Sequence, residues 1–351
     1  MDRLIDICDI QYGYAFDSAC FTEDNSYPPL ARIRDVKRGY SETYYAGDYP
    51  EEYVLHTGDL LVGMDGEFNI ARWKSIDALL NQRVCKLTAK EGTNEEYLRF
   101  AMVKALKAIE DKTAFVTVKH LSAKELNKLE LDMPTMAEQN LRADSLSKLE
   151  KIISLREDEL KQLDNLIKAR FVEMFGDVQH EEKYKGIQLR ELCTTMSGGT
   201  PSTKFPEYYE GDIPWISTVS LGPNYIDGTN AKGHITQEAV DNSATKLIPA
   251  GNILFGTRVG VGKSSLNSVD ICTNQDIVAI VGIDESKFNR LFIKHVLDAY
   301  QPYYDSIKKG ATILGITGDD LKDTLIPNVP IEIQIEFEKF ARQIDKSKVA
   351  A

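Results

Sequence analysis

The chain contains an internal repeat, and this duplication limits its fold more than any other feature of the sequence. Residues 58–63 (Gly-Asp-Leu-Leu-Val-Gly) have a counterpart at residues 251–256 (Gly-Asn-Ile-Leu-Phe-Gly). The other matching pairs are residues 4–8 with 189–193 and residues 81–84 with 274–277. The offset stays at roughly 185 to 195 residues, so we infer two related domains. We call these two domains heads. Two similar heads on one chain can hold two objects at a fixed separation.

Size and composition fit a protein with two globular domains. The 351 residues are enough for each domain to bury its own core. The hydrophobic content of 42% and the charged content of 27% are typical of soluble globular proteins. No apolar stretch approaches the length that spans a bilayer, and residues 1–6 lack the basic start and apolar run of a signal peptide. The sequence therefore predicts a cytoplasmic protein with no membrane partner.

Charge and cysteine usage argue against several classes of function. A net charge of −12 argues against a protein that coats nucleic acid nonspecifically, although a local basic face could still bind phosphates. The five cysteines form no Cys-x-x-Cys pair, and the five histidines show no metal-binding spacing. We therefore predict no metal site.

The predicted elements follow the same order in both copies. Residues 30–36 alternate between apolar and polar side chains and predict a strand. Residues 94–111 have the periodicity of an amphipathic helix, and Ser122 with Glu125 predicts the capping box of a short helix. Residues 288–307 predict a helix in the second copy. Strands precede helices in each copy, which favours an α+β fold with a mixed or antiparallel sheet.

A long helix is predicted between the copies. Residues 136–175 contain neither proline nor glycine, and a helix of this length would measure roughly 60 Å. The apolar residues at the a and d positions of its seven-residue repeat include Leu146, Leu149, Ile153, Leu160, Leu163 and Ile167. An apolar seam of this kind needs a helical partner.

A second, shorter helix is predicted after the second copy. Its residues Ile333, Phe337, Phe340 and Ile344 have the same 4-3-4 spacing. The two helices are therefore expected to pack side by side, antiparallel if the heads lie at opposite ends. The predicted boundaries are residues 1–135 for the first domain, 136–176 for the spacer helix, 177–330 for the second domain and 331–351 for the short helix.

Residues 256–264 resemble a phosphate-binding loop, but their spacing is wrong. A Walker A motif needs a glycine five residues before Gly262, and Thr257 stands there. Two interpretations stay open: a glycine turn that lets backbone amides and Lys263 approach a DNA phosphate, and a plain β-turn. No nucleophile stands with a base in the sequence, so we predict no catalytic residue.

Two segments at equivalent places in the copies are candidates for DNA contact. The basic and aromatic residues of the first segment are Arg32, Arg34, Lys37, Arg38 and Tyr40. The second segment has the short polar residues Ser217 and Thr218, and the glycine turn adds Arg258 and Lys263. A solvated loop explains either segment equally well. Because the copies differ most here while their apolar frames match, the pattern favours two readers of different sequences.

Four segments resemble a known family. They are residues 63–69, residues 169–177, residues 197–202 (Ser-Gly-Gly-Thr-Pro-Ser) and residues 212–217 (Asp-Ile-Pro-Trp-Ile-Ser). Together with the duplication, they make the chain resemble the specificity subunit of type I restriction–modification systems over nearly its whole length. The family motifs are mainly structural, so the resemblance assigns no base-reading residue.

The resemblance implies an α+β protein with two similar target-recognition domains joined by long coiled-coil-forming helices. Each domain would read one half of a split double-stranded DNA target, while the helices would set the gap and dock modification subunits. Those subunits would carry S-adenosylmethionine for adenine methylation. Restriction subunits would add cleavage driven by ATP and Mg. The chain itself would carry neither a cofactor nor a catalytic residue.

Two alternatives stay open. A specificity subunit of a type II-like fused restriction–modification enzyme would share the fold but serve a single catalytic partner. A coiled-coil scaffold whose heads bind no DNA would suit the acidic net charge. The short second helix departs from the family's usual pair of long helices, which leaves the oligomeric state open.

Overall fold

The same framework of strands and helices occurs twice along the chain. The computed structural model describes residues 1–66, 68–112, 120–179, 184–229, 231–310 and 312–350. The chain forms two units, Met1–Leu155 and Arg156–Ala351, and each unit contains one copy of the repeat. No helix within the described ranges is long and apolar enough to cross a bilayer.

The first unit begins at Met1 and extends into the long helix. Its strands are β1 (Asp2–Arg3), β2 (Cys8–Tyr12), β3 (Phe21–Thr22), β4 (Leu30–Ala31), β5 (Tyr44–Tyr45), β6 (Val54–Leu55), β7 (Leu60–Gly63), β8 (Asn69–Arg72), β9 (Ala78–Leu80), β10 (Val84–Ala89) and β11 (Glu130–Leu131). Its helices are α1 (Leu4–Ile7), α2 (Ile33–Arg38), α3 (Glu95–Lys112), α4 (Ala123–Asn127) and the start of α5 (Met136–Phe175).

The second unit contains the end of α5 and the second copy of the repeat. Its strands are β12 (Gly186–Gln188), β13 (Thr194–Ser197), β14 (Ile213–Ile216), β15 (Tyr225–Ile226), β16 (Gly233–Ile235), β17 (Ile253–Gly256), β18 (Ser264–Asn267), β19 (Cys272–Thr273), β20 (Ile277–Val281) and β21 (Leu325–Pro327). Its helices are α6 (Leu189–Leu192), α7 (Gln237–Asp241), α8 (Arg290–Ala299), α9 (Gln301–Ile307), α10 (Gly318–Lys322) and α11 (Ile331–Ala350).

The main sheet has the same strand order in both units. In the first unit the order is β2-β10-β7-β8, and all neighbours are antiparallel. In the second unit β13-β20-β17-β18 repeats this arrangement, and β15 adds a parallel edge strand beside β18. The predicted α+β class with a mixed or antiparallel sheet is confirmed.

A smaller sheet in each unit contains one parallel pair. The order is β4-β9-β6 in the first unit, where β4 and β9 run parallel. The order is β16-β14-β19 in the second unit, where β14 and β19 run parallel. Because parallel strands end at the same edge, the segments that follow these strands are brought together.

The strand predicted over residues 30–36 is wrong beyond its first two residues. β4 ends at Ala31 and the chain turns into α2. The cause is Asp35, a buried side chain that accepts the backbone N–H of Arg32 at 3.0 Å and pairs with the Arg38 guanidinium at 2.5 Å. Gly39, with φ of 79°, ends the helix. An alternating pattern does not reveal this cap.

The helix predicted over residues 288–307 is divided in two. α8 ends at Ala299, and α9 begins at Gln301 with Pro302 in its first turn. Proline lacks an N–H donor and clashes with the preceding turn, so the helix breaks there. The helix predicted over residues 94–111 is confirmed as α3, and the Ser122 cap is confirmed at α4.

The predicted long helix is observed as α5, and α11 packs against its end within the second unit. Phe171 of α5 meets Phe337 of α11 edge to face, with ring centroids 5.4 Å apart. Arg170 pairs with Glu336 at 3.1 Å, and the pairing of Asp164 with Lys348 at 2.6 Å fixes the direction as antiparallel. The predicted antiparallel packing is therefore confirmed for this part of α5.

A buried glutamine ties each head to the helix that follows it. In the first unit, Gln139 of α5 accepts the N–H of Asn94 at 2.9 Å and donates to the Pro134 carbonyl at 2.9 Å. Asn94 in turn accepts the N–H of Tyr97 and so caps α3. One side chain thus joins the helix of the head, the loop and the spacer helix.

The second unit repeats this arrangement. Gln334 of α11 is fully buried, accepts the N–H of Asn289 at 2.8 Å and donates to the Val329 carbonyl at 2.6 Å. Asn289 caps α8 through the N–H of Phe292. We call this set of hydrogen bonds around the buried glutamine the lock. It occurs in both copies and fixes where each helix leaves its head.

Charged side chains add a second connection between head and helix. In the first unit, Arg99 of α3 pairs with Glu150 of α5 at 2.5 Å. In the second unit, Lys294 of α8 is 3% exposed and donates to Asn224 at 3.0 Å, and Asn224 donates to Asp345 of α11 at 2.8 Å. The head of each unit is therefore held to its helix by polar as well as apolar contacts.

His295 is buried where α8, α5 and α11 meet. Its ring lies 5.0 Å from the ring of Phe337 and 6.1 Å from that of Phe171. Burial, together with nearby lysines including Lys294, holds the pKa of His295 well below its ordinary value. The Asp298 carboxylate lies 3.7 Å from Nδ1, but it already binds the Lys294 ammonium. His295 is therefore neutral in the folded unit.

Replacing Gln334 with leucine should destabilise the second unit. The substitution leaves the Asn289 N–H and two carbonyls without their partner, at a cost of about 1–3 kcal/mol. Urea unfolding followed by tryptophan fluorescence measures the change, in a Trp73→Phe background so that the signal comes from Trp215, which lies in this unit. Gln343→Leu, at an exposed position of the same helix, is the control and should change the free energy of unfolding by less than about 0.5 kcal/mol. Equal stability of the two variants would contradict the lock.

Acid should destabilise the second unit through His295. As the pH falls below about 6.5, the unfolded chain binds a proton that the folded unit does not, so stability decreases. His295→Phe should flatten this dependence, because Phe100 stands at the matching place of the first copy. The Tm measured between about pH 7.5 and about pH 5.5 tests this. The control His234→Phe, at an exposed site, should keep the wild-type slope; an unchanged slope for His295→Phe would refute the assignment.

Candidate DNA interface

In each unit, several loops lie close together at one edge of the sheets. In the first unit, the Asn81 N–H reaches the Ala31 carbonyl, so the turn at residues 81–83 lies beside the start of α2. β7 ends opposite the start of β10, with Gly63 beside Val84, which brings the loop after Gly63 to the same place. We name this edge of each unit the loop edge.

The loop edge of the second unit has the same construction. The Asn274 N–H donates to the Ile216 carbonyl at 3.0 Å, so the turn at residues 274–276 lies beside the segment that starts at Ser217. The loop after Gly256 joins them because Gly256 stands opposite Ile277 in the register of β17 and β20. Segments distant in sequence thus converge, and two of them are segments predicted to contact DNA.

The basic and aromatic cluster of the first copy lies on and after α2. Arg32 and Arg34 stand where α2 begins at the loop edge, and Arg34 is exposed. Arg38 lies over the ring of Tyr40 at 4.7 Å and also pairs with the Glu42 carboxylate at 3.3 Å. The Gly39 carbonyl accepts the N–H of residue 74, beyond the far end of β8, so Arg38 and Tyr40 lie away from the loop edge.

Carboxylates neutralise part of this cluster. The Asp35 side chain is fully buried beneath the arginines, and its Oδ1 lies 2.5 Å from Arg38 and 3.8 Å from Arg34. Arg34 also donates to the Thr43 hydroxyl at 3.0 Å, and the side chain of Lys37 is exposed. Arg34 and Lys37 are therefore the more accessible cations of α2.

The short polar residues of the second copy differ from one another in exposure. Ser217 is half-buried and precedes the 3-10 helix Thr218–Ser220. Thr218 is only 4% exposed, because it packs beneath β17 beside Gly256. This burial does not fit the predicted contact between the Thr218 side chain and a base. Ser217 stays a candidate.

The glycine turn is a hairpin between β17 and β18. The Gly256 N–H donates to the Lys263 carbonyl at 2.9 Å, and the Gly262 N–H donates to the Gly256 carbonyl at 3.0 Å. Gly260 and Gly262 adopt φ of 74° and 84°, which a residue with a side chain rarely does. The β-turn geometry is confirmed, and the exposed side chains of Arg258 and Lys263 keep the predicted phosphate contact open.

Each loop edge also contains an ion pair that sequence reasoning overlooked. In the first unit the Arg83 guanidinium lies 3.5 Å from the Asp65 carboxylate, and in the second the Arg258 guanidinium lies 3.7 Å from the Asp276 carboxylate. Arg258 was predicted as a DNA contact, but Arg83 was not. The signal is the offset of the repeat, which places Asp65 opposite Arg258 and Arg83 opposite Asp276. Residue 67, in the segment 63–69, lies outside the described residues.

The predicted docking face of α5 is largely exposed. Leu149 and Ile153 are 54% and 57% exposed, and Leu146 and Leu160 are exposed as well. Leu163 is half-buried. Ile167 is 2% exposed and belongs to the core of the second unit with Phe171 and Phe337, so its predicted place on a docking face is wrong.

No group of three or more His, Cys, Asp or Glu side chains in the described ranges is arranged to hold a metal ion. Burial raises the pKa of Cys8 to about 12 and that of Cys272 to about 11, which keeps both thiols protonated. The loop edges instead present exposed arginines and lysines, which suit binding.

Comparisons with known proteins agree with this arrangement. The chain is 41% identical over 163 residues to the type I restriction enzyme EcoBI specificity subunit of Escherichia coli, an alignment covering 46% of this chain and 34% of that protein. It is 30% identical over 141 residues to the MjaIX specificity subunit of Methanocaldococcus jannaschii, covering 40% of this chain and 33% of that protein. The aligned regions thus span about a third of each relative's length.

A solved structure shares the fold. The type I restriction–modification system S subunit from M. genitalium matches 99% of this chain and 90% of its own chain, with a TM-score of 0.55 and 14% identity. The model of the family described as type I restriction modification DNA specificity domain matches residues 1–165 and 181–350. Because that model covers both copies of the repeat, the chain belongs to the type I restriction modification DNA specificity domain family.

Proposed function

We propose that this chain is the noncatalytic DNA-sequence-specificity subunit of a type I restriction–modification complex. One observation carries the proposal: the same framework occurs twice, and each copy brings different side chains to its loop edge. Each head then reads one half of a bipartite target in double-stranded DNA, and the helices set the gap. Membership of the family supports this assignment.

The side chains at the loop edges suit contact with DNA. Arginine and lysine bind phosphates, and arginine forms paired hydrogen bonds with the major-groove edge of guanine. Arg34 and Lys37 in the first head and Arg258 and Lys263 in the second are exposed. The other predicted contacts that remain proposals are Arg32 and Ser217 at the loop edges, and Arg38 and Tyr40, which lie away from the loop edge of the first head.

The apolar face of α5 suits the docking of modification subunits. Exposed leucine and isoleucine at a/d spacing, including Leu146, Leu149 and Ile153, favour burial against a helix of another protein. In our proposal the modification subunits bind S-adenosylmethionine and methylate adenine. The restriction subunits bind ATP and Mg, and this chain binds no cofactor. The complex acts on DNA in the cytoplasm.

Two alternatives make different predictions. A specificity subunit of a type II-like fused restriction–modification enzyme would serve one catalytic polypeptide, so the neighbouring genes distinguish it. A scaffold whose heads bind no DNA would show no preference for any duplex. Binding of the assembled complex to a specific duplex, weakening steeply as salt rises, would exclude the scaffold.

Co-expression with its modification subunits should direct adenine methylation to a bipartite site. The measurement is genome-wide mapping of methylated adenines in a host without other methyltransferases, with modification subunits alone as the control. We expect two short specific sequences separated by a fixed number of unspecified bases. Methylation at one uninterrupted sequence, or methylation that does not depend on this chain, would contradict the proposal.

Lengthening the spacer helix should widen the gap. Insertion of seven helical residues after Leu155 lengthens α5 by roughly 10 Å while nearly preserving its rotational phase. At about 3.4 Å per base pair, the gap should grow by about three base pairs with both half-sites unchanged. The control replaces the exposed Lys151 and Lys161 with alanine and inserts nothing, which should leave the gap as it was. A longer helix with the original gap would refute the role of α5.

A further inference from the structure

The two heads contain the same ion pair with its charges exchanged. In the first head, Asp65 lies in the loop after β7 and Arg83 in the turn before β10. In the second head, Arg258 lies in the loop after β17 and Asp276 in the turn before β20. We name these the edge pairs. The arginine therefore comes from the turn in one head and from the hairpin loop in the other.

Equivalent backbone hydrogen bonds support the two edge pairs. The N–H of Met64 donates to the Arg83 carbonyl at 2.9 Å, and the N–H of Thr257 donates to the Asp276 carbonyl at 2.8 Å. The carbonyls of Met64 and Thr257 accept the N–H groups of Leu121 and Ile316, at 2.7 Å and 2.8 Å. The same hydrogen-bond frame therefore carries side chains of exchanged charge in the two heads.

In each edge pair the arginine is the exposed partner. The side chains of Arg83 and Arg258 are 51% and 55% exposed, whereas those of Asp65 and Asp276 are 25% and 17% exposed. The carboxylate thus stands at the base of the loops and the guanidinium reaches outward. An ion pair this open to water adds little to stability, so stability alone is a weak reason for its presence in both heads.

The first edge pair also stores backbone strain. Arg83 has φ of 72° and is the one non-glycine residue in the described part of the chain with a positive φ. An L-residue in this conformation costs free energy, and such outliers concentrate at functional sites. The His120 side chain contacts Asp65, and its Nδ1 lies 3.1 Å from the Arg83 guanidinium. The two-pronged guanidinium of Arg83, here called the fork, is therefore held on more than one side.

The chemistry of the fork suits guanine. A guanidinium donates two parallel hydrogen bonds to O6 and N7 of guanine in the major groove. A carboxylate behind it restricts the rotamers of the arginine, so that less entropy is lost on binding. Since the guanidinium starts from different loops in the two heads, it would approach DNA from a different direction in each head.

We propose that Arg83 and Arg258 are specificity-determining residues that each read a guanine in the half-site of their own head, with Asp65 and Asp276 as positioning residues. This inference rests on the proposed function of the chain and names where each head reads its target. It adds Arg83 to the contact residues predicted from sequence, and it adds Asp65 and Asp276 as the residues that position the two arginines.

The test uses the complete complex with its modification subunits and a DNA library in which one half-site at a time is randomised. Methylation of each library member is measured by sequencing. Arg83→Ala should lower discrimination at one guanine of the first half-site by about 5-fold to 150-fold, and leave the second half-site unchanged. Arg258→Ala should do the reverse. Arg3→Ala and Arg190→Ala, exposed ion-paired arginines outside the loop edges, are the controls and should leave both half-sites unchanged.

Two further variants separate guanine reading from phosphate binding and from folding. Arg83→Lys keeps the charge but loses the fork, so it should relax specificity as Arg83→Ala does. Arg83→Gly also removes the backbone strain, so it should keep or raise the Tm of the complex while relaxing specificity. If lysine restores full specificity, or if alanine weakens methylation equally at every base, the arginine contacts phosphate and the inference is overturned.

Exchanging the edge pair tests the positioning role. Asp65→Arg combined with Arg83→Asp builds the arrangement of the second head into the first. We expect a Tm close to that of the wild-type complex, because the exchanged residues can still form an ion pair. We also expect the guanine preference in the first half-site to move to another position. An unchanged preference would overturn the inference. A wild-type complex with no bipartite site would instead refute the proposed function, so the two failures are distinguishable.

Discussion

The buried glutamine near the start of α5 and the one near the start of α11 are the contacts on which the arrangement of this protein depends. Gln139 and Gln334 each accept the N–H of the asparagine that caps the helix of the head, and each donates to the loop before its own helix. Without this lock the helix could leave its head at many angles, because apolar packing has little directional preference. With it, each head has one fixed exit. The proposed role, in which the helices set the separation of two half-sites, would need such a constraint at both junctions.

The framework and the reading surface obey different physical requirements. Strands such as β7 and β17 are buried on both faces, so their side chains must fit the core and both copies retain similar apolar sequences. The loop edge bears no such packing requirement, and its side chains can differ. The edge pairs illustrate this freedom, since the charges of Asp65 and Arg83 are exchanged in Arg258 and Asp276 above equivalent backbone hydrogen bonds. Two domains that recognise different DNA sequences require this combination of a shared buried framework and variable side chains at the loop edge.

Sequence reasoning reached the features that depend on local or periodic patterns. The duplication, the α+β class and the bounds of α5 could be predicted, because apolar periodicity and the lack of glycine and proline are local signals. The strand predicted over residues 30–36 failed because the cap formed by Asp35 depends on a buried carboxylate that alternation does not reveal. The burial of Thr218 and of Ile167, and the pairing of Arg83 with Asp65, depend on segments distant in sequence. The domain boundaries and the DNA contacts stay predictions.

The central claim is that each head reads its own half of the target independently of the other. The most direct measurement exchanges the first head for that of another family member, leaves residues 136–351 intact and maps the methylated adenines of the complex. The account predicts a new first half-site, an unchanged second half-site and an unchanged gap, because α5 is retained together with Gln139, which joins it to the head. A change in the second half-site, or no change in either, would contradict it.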